Sequence, residues 1–177
     1  MWAVSEPLVS LRLGYADPPY PGMAHRYDCE EIDYACLITK LINEYHGWAL
    51  CLGANNLADI LPMVPVKYRI GAWVKPFAFG KPGVNPIWSW EPVVFSPARK
   101  GRESPLCKDH LVQNVRGLSG KEKFFFGAKP REFNHWILDI LGYKSGDDVD
   151  DLFPGTRGMS YAILEREKKT LPLELVG

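Results

Sequence analysis

At 177 residues, with 46% hydrophobic and 24% charged residues, the chain has the length and composition of a single globular domain able to bury a core. Its 21 basic residues balance 21 acidic ones, which excludes a global basic field and leaves only local patches for any nucleic-acid contact. The four cysteines form no CxxC pair and the four histidines stand apart, so neither a disulfide framework nor a metal motif is written in the spacing.

Cys29, Cys36, Cys51 and Cys107 are expected to be reduced thiols, mostly buried. With no signal pattern and no membrane-length apolar run, the chain is expected in the cytoplasm and away from membranes.

Strand and helix patterns alternate, which predicts an α/β domain with mostly parallel strands. Leu8 to Ala16 reads as a strand that ends in a Pro-rich loop. Ile32 to Tyr45 repeats apolar residues at helical spacing, with Glu30, Glu31 and Asp33 as charges near the helix start. Trp48 to Leu52 is a short buried strand. Asn55 or Asn56 then caps a short helix through Met63. Tyr68 to Val74 is the next strand. Residues 75–89 form a Pro- and Gly-rich insert with Phe77, Phe79 and Trp88, a loop length usually reserved for function or mobility. Val93 to Ser96 is a strand, and residues 98–127 form a second irregular insert. A helix over Arg131–Leu141, a strand over Val149–Phe153, a turn at Pro154–Gly158 and a helix over Met159–Lys169 follow. Leu171 to Val176 is expected to add one more strand.

The clearest chemical signal is Asp17-Pro18-Pro19-Tyr20 at the end of the first strand. Two prolines stiffen the turn and remove two backbone donors, leaving carbonyls and one carboxylate as acceptors beside an aromatic face. Such a loop suits an exocyclic amine: Asp17 and the Pro18 carbonyl each accept one N–H, and Tyr20 stacks on the ring. Methyl transfer to that nitrogen is an in-line displacement governed by positioning, with no strong base required. The plain alternative is a Pro-rich surface turn.

A second constellation, Asp150 to Gly158, joins acidic residues at a strand end to a glycine-containing turn that opens a helix. Nucleotide cofactors sit on such turns in Rossmann-like sheets, although any strand-to-helix turn also favours glycine. Lys129-Pro130 opens the preceding helix, where a lysine either meets a cofactor carboxylate or is simply solvated.

These motifs, taken in order, resemble the MT-A70-like adenine-N6 methyltransferases, and more broadly the permuted amino-methyltransferases of the DNA adenine type. The resemblance runs through Tyr15-Ala16-Asp17-Pro18-Pro19-Tyr20, Ala72-Trp73-Val74-Lys75, Trp90-Glu91-Pro92-Val93-Val94-Phe95, Lys129-Pro130 and Asp151-Leu152-Phe153. It implies a Rossmann-like, S-adenosylmethionine-dependent methyltransferase sheet in circularly permuted order, with the catalytic loop first and the cofactor loop last.

The resemblance further implies catalytic roles for Asp17, Pro18, Pro19 and Tyr20. Cofactor contacts fall on Ala16, Lys129, Pro130, Asp151, Phe153, Gly155 and Arg157, and substrate contacts on His25, Lys75, Trp90 and Glu91. Arg157 stands where related DNA enzymes carry a second glycine, and Tyr20 where the MT-A70 branch carries tryptophan. Glu174 is the one candidate for a ribose-binding acid.

The implied partner is nucleic acid, with DNA favoured over RNA or a free nucleotide, and homo- or hetero-oligomers left open. No separate target-recognition domain is visible, so the two inserts must serve. Arg99, Lys100, Arg102, Lys121 and Lys123 beside Phe124, Phe125 and Phe126 form either a basic, aromatic strand-binding surface or solvated lysines beside a core strand. A target base must be single-stranded or flipped. One rival reading is a methyltransferase-like subunit that binds nucleic acid or a partner without catalysis; another keeps the enzyme but changes the acceptor to guanine N2, cytosine N4 or a glutamine side chain.

Overall fold

The computed structural model of the chain describes residues 9–80, 82–99, 106–114 and 128–170. The expected strand at Leu171–Val176, Glu174, Lys100, Arg102, Lys121, Lys123 and Phe124 to Phe126 lie outside the described residues.

Six strands form one sheet. They are β1 (Arg12–Ala16), β2 (Gly47–Cys51), β3 (Arg69–Val74), β4 (Trp90–Ser96), β5 (His110–Val112) and β6 (Asp148–Asp151), in the order β5-β3-β4-β2-β1-β6. β1 pairs in parallel with β2 and β6, and β3 with β5, while β4 runs antiparallel to both β2 and β3. Five strands therefore point one way and β4 alone opposes them, close to the mostly parallel sheet that the alternation predicts. The consequence is topological. The carboxyl ends of β1, β3 and β6 and the amino end of β4 share one edge of the sheet.

The central strands are buried on both faces, which is why β2 (GWALC) reads as an unbroken apolar run. Below one face lies α1 (Tyr34–Glu44), packing Tyr34, Leu37, Ile38 and Leu41 against Ala16, Trp48, Leu50 and Val94. Asp33 caps this helix by accepting from the Cys36 N–H at 3.0 Å, so one of the acidic residues expected near its start serves as the N-cap itself. On the other face, α3 (Arg131–Leu141) and α4 (Gly158–Thr170) cover Leu13, Tyr15, Ala49, Trp73, Val93 and Phe95 with Phe133, Trp136, Ile137, Leu141 and Met159. Gly142, in the left-handed region at φ 74°, ends α3 and takes its amide back to Asp139.

Three expectations need correction. Neither Asn55 nor Asn56 caps with its side chain; a turn over Ala54–Asn56 leads into α2 (Leu57–Ile60), and Asn56 is buried instead. The second insert contains β5, three residues too short to show an alternating pattern. Of the cysteines only Cys51 is buried, while Cys29, Cys36 and Cys107 are exposed free thiols.

Arg99 is also not the surface cation that its neighbours suggest. Its side chain is 6% exposed and grips Asp147, itself 1% exposed, with the second guanidinium nitrogen at 2.8 Å. It also donates to the carbonyls of Gly142 and Val9. Asp147 accepts in turn from the amides of Leu11 and Lys144. Burial pushes the Asp147 carboxyl up, but the Arg99 and backbone donors outweigh it and hold the group below its usual value.

This pair ties the exit of β4 to the turn between α3 and β6. Asp147→Asn is expected to cost about 3–5 kcal/mol, because it strands a buried guanidinium. The depressed carboxyl stabilises the fold above its unfolded pKa, a contribution lost as pH falls through the lower folded value. Urea unfolding of both proteins at pH 7 checks the cost; a difference under about 1 kcal/mol would contradict the buried-pair reading.

Candidate active site

Four charged side chains meet at the shared edge of the sheet. Asp17 follows β1, Lys75 follows β3, Glu91 is the second residue of β4, and Lys129 lies two residues before α3. The reversal of β4 is what brings Glu91 here, since in a parallel β4 the same residue would sit at the opposite edge.

The Lys129 ammonium lies 3.1 Å from Asp17 Oδ1, 3.0 Å from Glu91 Oε2 and 3.3 Å from the Tyr20 hydroxyl. It also stands over the rings of Tyr20, Trp73 and Phe133 at 5.6, 5.5 and 5.7 Å. Glu91 Oε1 takes Lys75 at 2.6 Å, and Glu91 Oε2 accepts the Tyr20 hydroxyl at 2.7 Å. Two carboxylates thus face two ammonium groups, and the cluster is neutral as a whole.

Burial opposes charge throughout this cluster, and the partners decide the result. For Lys129, burial works against the ammonium, but Asp17, Tyr20 and Glu91 overcome it and hold the pKa well above the usual lysine value. For Glu91, burial raises the carboxyl, yet Lys129, Lys75 and the hydrogen bonds bring it down to about 2. For Asp17, burial dominates over Lys129 and leaves the carboxyl raised.

The loop itself is held at several points. Tyr34 Oη donates to the Pro19 carbonyl at 3.0 Å, and the Met23 amide donates to the Tyr20 carbonyl at 2.8 Å. The ring of Tyr20 runs so close to Gly53 that a Cβ there would stand 3.1 Å from its Cδ2 and 2.9 Å from Asn56 Oδ1. Only glycine leaves that passage open.

Beside this loop runs the turn that follows β6. Tyr15 and Asp151 are register partners, so Asp17 and Asp151 emerge from adjacent strands at the same edge. The Asp151 carboxylate accepts from the Phe153 amide at 3.2 Å and, among the described residues, meets no cationic side chain. Burial raises it to about 6, with Asp17 and Asp150 adding repulsion. Asp150 is occupied by Arg12 at 3.0 Å and the Tyr45 hydroxyl at 2.7 Å. The turn then passes through Gly155 at φ 41° and Arg157 at φ 59°, so the left-handed backbone that a second glycine would supply is adopted by Arg157 itself.

Of the residues singled out by sequence, Ala16, Asp17, Tyr20, Lys75, Glu91 and Lys129 come together. Asp151, Phe153, Gly155 and Arg157 line the adjoining turn. Pro130 is buried at the head of α3, Trp90 is half-buried beside Glu91, and His25 is exposed in the turn Ala24–Arg26. Sequence reasoning left Lys129 either to meet a cofactor carboxylate or to be solvated; its side chain is mostly buried and its ammonium pairs with Asp17 and Glu91. It also missed Tyr34 and Gly53, whose roles depend on contacts between distant segments. A separate cleft of about 480 Å³ lies between α3 and α4, lined by residues including Arg131, His135 and Arg166. There Glu165 pairs with Arg131 and His135, and Asp139 with Arg166, so these charges tie the two helices together.

The sequence matches no protein-family model and no curated protein. Among solved structures the fold is similar to M1.HpyAVI in its complex with SAM. The TM-score is 0.60 at 15% identity, over 90% of this chain and 79% of that one. M1.HpyAVI in a second crystal structure gives a TM-score of 0.57 at 12% identity, over 90% and 78% of the two chains. The chain therefore shares the α/β fold of M1.HpyAVI.

The raised Asp151 carboxyl yields a pH signature. Because the folded group titrates near 6 and the unfolded one near 3.8, the folded state binds the extra proton between those values. Stability attributable to Asp151 therefore falls as pH rises from about 4 through 6. Asp151→Asn is expected to melt above the parent chain at pH 7.5, the gap closing toward pH 4; equal melting curves at pH 7.5 would contradict this.

Proposed function

We propose that the chain is an S-adenosylmethionine-dependent methyltransferase that acts on the exocyclic N6 amine of adenine, in DNA by preference. The observation that carries this reading is the pairing, on one sheet edge, of a pinned Asp17–Tyr20 loop with an Asp151 carboxylate that meets no cationic side chain among the described residues. The fold shared with M1.HpyAVI, a protein solved in complex with SAM, supports it, as does the motif order that resembles the permuted amino-methyltransferases.

The donor set fits this cofactor. A positively charged ligand would relieve the repulsion that Asp17 and Asp150 exert on the Asp151 carboxylate, and the turn through Gly155 keeps backbone close to it. Asp151, Phe153, Gly155 and Arg157 would hold the cofactor beside Ala16 and Pro130. When bound, S-adenosylmethionine supplies an electrophilic methyl on a sulfonium.

The rest is positioning by the protein. Asp17 and the Pro18 carbonyl accept the two N–H bonds of the amine and aim its lone pair. Tyr20 stacks on the base, its ring angle set by the hydrogen bond to Glu91. Lys129 fixes one Asp17 oxygen, which orients the carboxylate. The methylated nitrogen would shed a proton. Burial raises the proton affinity of Asp17, which suits the same carboxylate to receive it.

One observation favours a second reading. The Lys129 ammonium already occupies one of the two Asp17 oxygens able to accept from an amine, as in a methyltransferase-like subunit that no longer catalyses.

Transfer of radiolabelled methyl to adenine-containing oligodeoxynucleotides separates the two readings. The parent chain is expected to transfer, and Asp17→Ala to lose at least about a hundredfold in rate. Equal transfer by both proteins would sink the assignment of Asp17. Absence of transfer by a folded parent chain that also gives no heat with S-adenosylmethionine in calorimetry would favour the non-catalytic subunit.

A further inference from the structure

The insert between β3 and β4 leaves the site at Lys75 and returns to it at Trp90, one residue before Glu91. Its neck is closed by hydrogen bonds. The Lys75 amide donates to the Ser89 carbonyl at 2.7 Å, the Ala78 amide to the Lys75 carbonyl at 3.2 Å, and the Phe77 amide to Asn114 Oδ1 at 2.9 Å. Beyond this neck, Phe77 is 77% exposed, Phe79 91% and Trp88 50%. Three aromatic rings offered to water on a loop with a fixed base have no role in the core, and exposure on this scale marks a contact surface.

The chemistry of the loop narrows the partner. From residue 75 to residue 90 the sequence has no aspartate or glutamate, while Lys75 and Lys81 are basic. Aromatic rings on a segment without acids suit a polyanion with exposed π-faces. The loop is also continuous with the base-stacking ring of the site, because Lys75 Nζ bonds Glu91 at 2.6 Å and Glu91 bonds the Tyr20 hydroxyl at 2.7 Å.

We propose that Phe77, Phe79 and Trp88 form a stacking platform for unpaired bases flanking the acceptor nucleotide, so that the substrate is a single-stranded or locally opened nucleic acid. This inference rests on the function proposed above. It goes further in assigning strand-state selectivity to the 75–89 loop. A paired duplex keeps its base faces stacked on one another and offers the rings nothing to bind.

The test is fluorescence anisotropy without methyl donor. The probes are a labelled single-stranded 12-nucleotide oligodeoxynucleotide, its duplex, and an abasic strand of equal charge. The parent chain is expected to bind the single strand about tenfold or more tightly than either control. Phe79→Ala/Trp88→Ala is expected to lose about tenfold or more of that affinity, and Phe79→Trp to keep it. The Trp fluorescence of the parent chain is expected to be quenched by the single strand and not by the abasic strand.

Equal affinity for the three probes would overturn the platform, as would unchanged affinity in a folded double variant. So would failure to bind any probe by a chain that sediments as a dimer until the double substitution separates it, since the loop would then be a self-contact. Methyl transfer by the parent chain is measured in parallel. A chain that binds the single strand in this way but transfers nothing would overturn the proposed function alone.

Discussion

The site depends on one buried ammonium. Lys129 bridges Asp17 and Glu91 and lies over three aromatic rings, and those groups come from four segments of the chain: the Asp17–Tyr20 loop, Trp73, Glu91 and Phe133. A lone carboxylate at the buried end of β1 would be driven to neutrality by burial; with Lys129 and Lys75 present, two carboxylates and two ammonium groups share one neutral cluster. Such a cluster is costly to assemble and strongly directional once formed. It orients the Asp17 carboxylate and, through Glu91, the Tyr20 ring, the two elements that an amine on a flat heterocycle would meet.

The fold exists to bring these four side chains to one edge. Parallel strands deliver Asp17, Lys75 and Asp151 at their carboxyl ends, and the reversed β4 delivers Glu91 at its amino end. The Arg99–Asp147 pair, far from this edge, fixes where β4 leaves the sheet relative to the α3–β6 turn, and so supports the register on which Glu91 depends. A balanced cluster around Asp17 and, among the described residues, an acid without a cationic partner at Asp151 divide the edge into two halves with different electrostatics.

Much of this was legible in the sequence, for physical reasons. The Asp17–Tyr20 loop stands out because two prolines beside a carboxylate restrict the backbone wherever they occur. The α3 helix was readable to the residue, since its apolar spacing is strong and Gly142 stops it. The strand β5 was not, because His110, Leu111 and Val112 are too few to carry a period. The direction of β4 was hidden as well: a strand buried on both faces reads the same in either direction. Arg99 and Lys129 looked like surface or ligand-facing cations, and only long-range packing gives them Asp147 and the Asp17–Glu91 pair. The left-handed Arg157 is a further case, since sequence suggests a defective glycine turn while the backbone adopts the required φ regardless.

What distinguishes this account from a methyltransferase-like scaffold is the chemical fate of the acceptor amine, and that is directly measurable. Nucleosides from DNA and RNA of cells expressing the chain, compared by mass spectrometry with cells expressing Asp17→Ala, give acceptor and polymer together. N6-methyladenine in the DNA fraction of the first and not the second is the expected result. Indistinguishable nucleoside profiles from two folded, equally abundant proteins would contradict it.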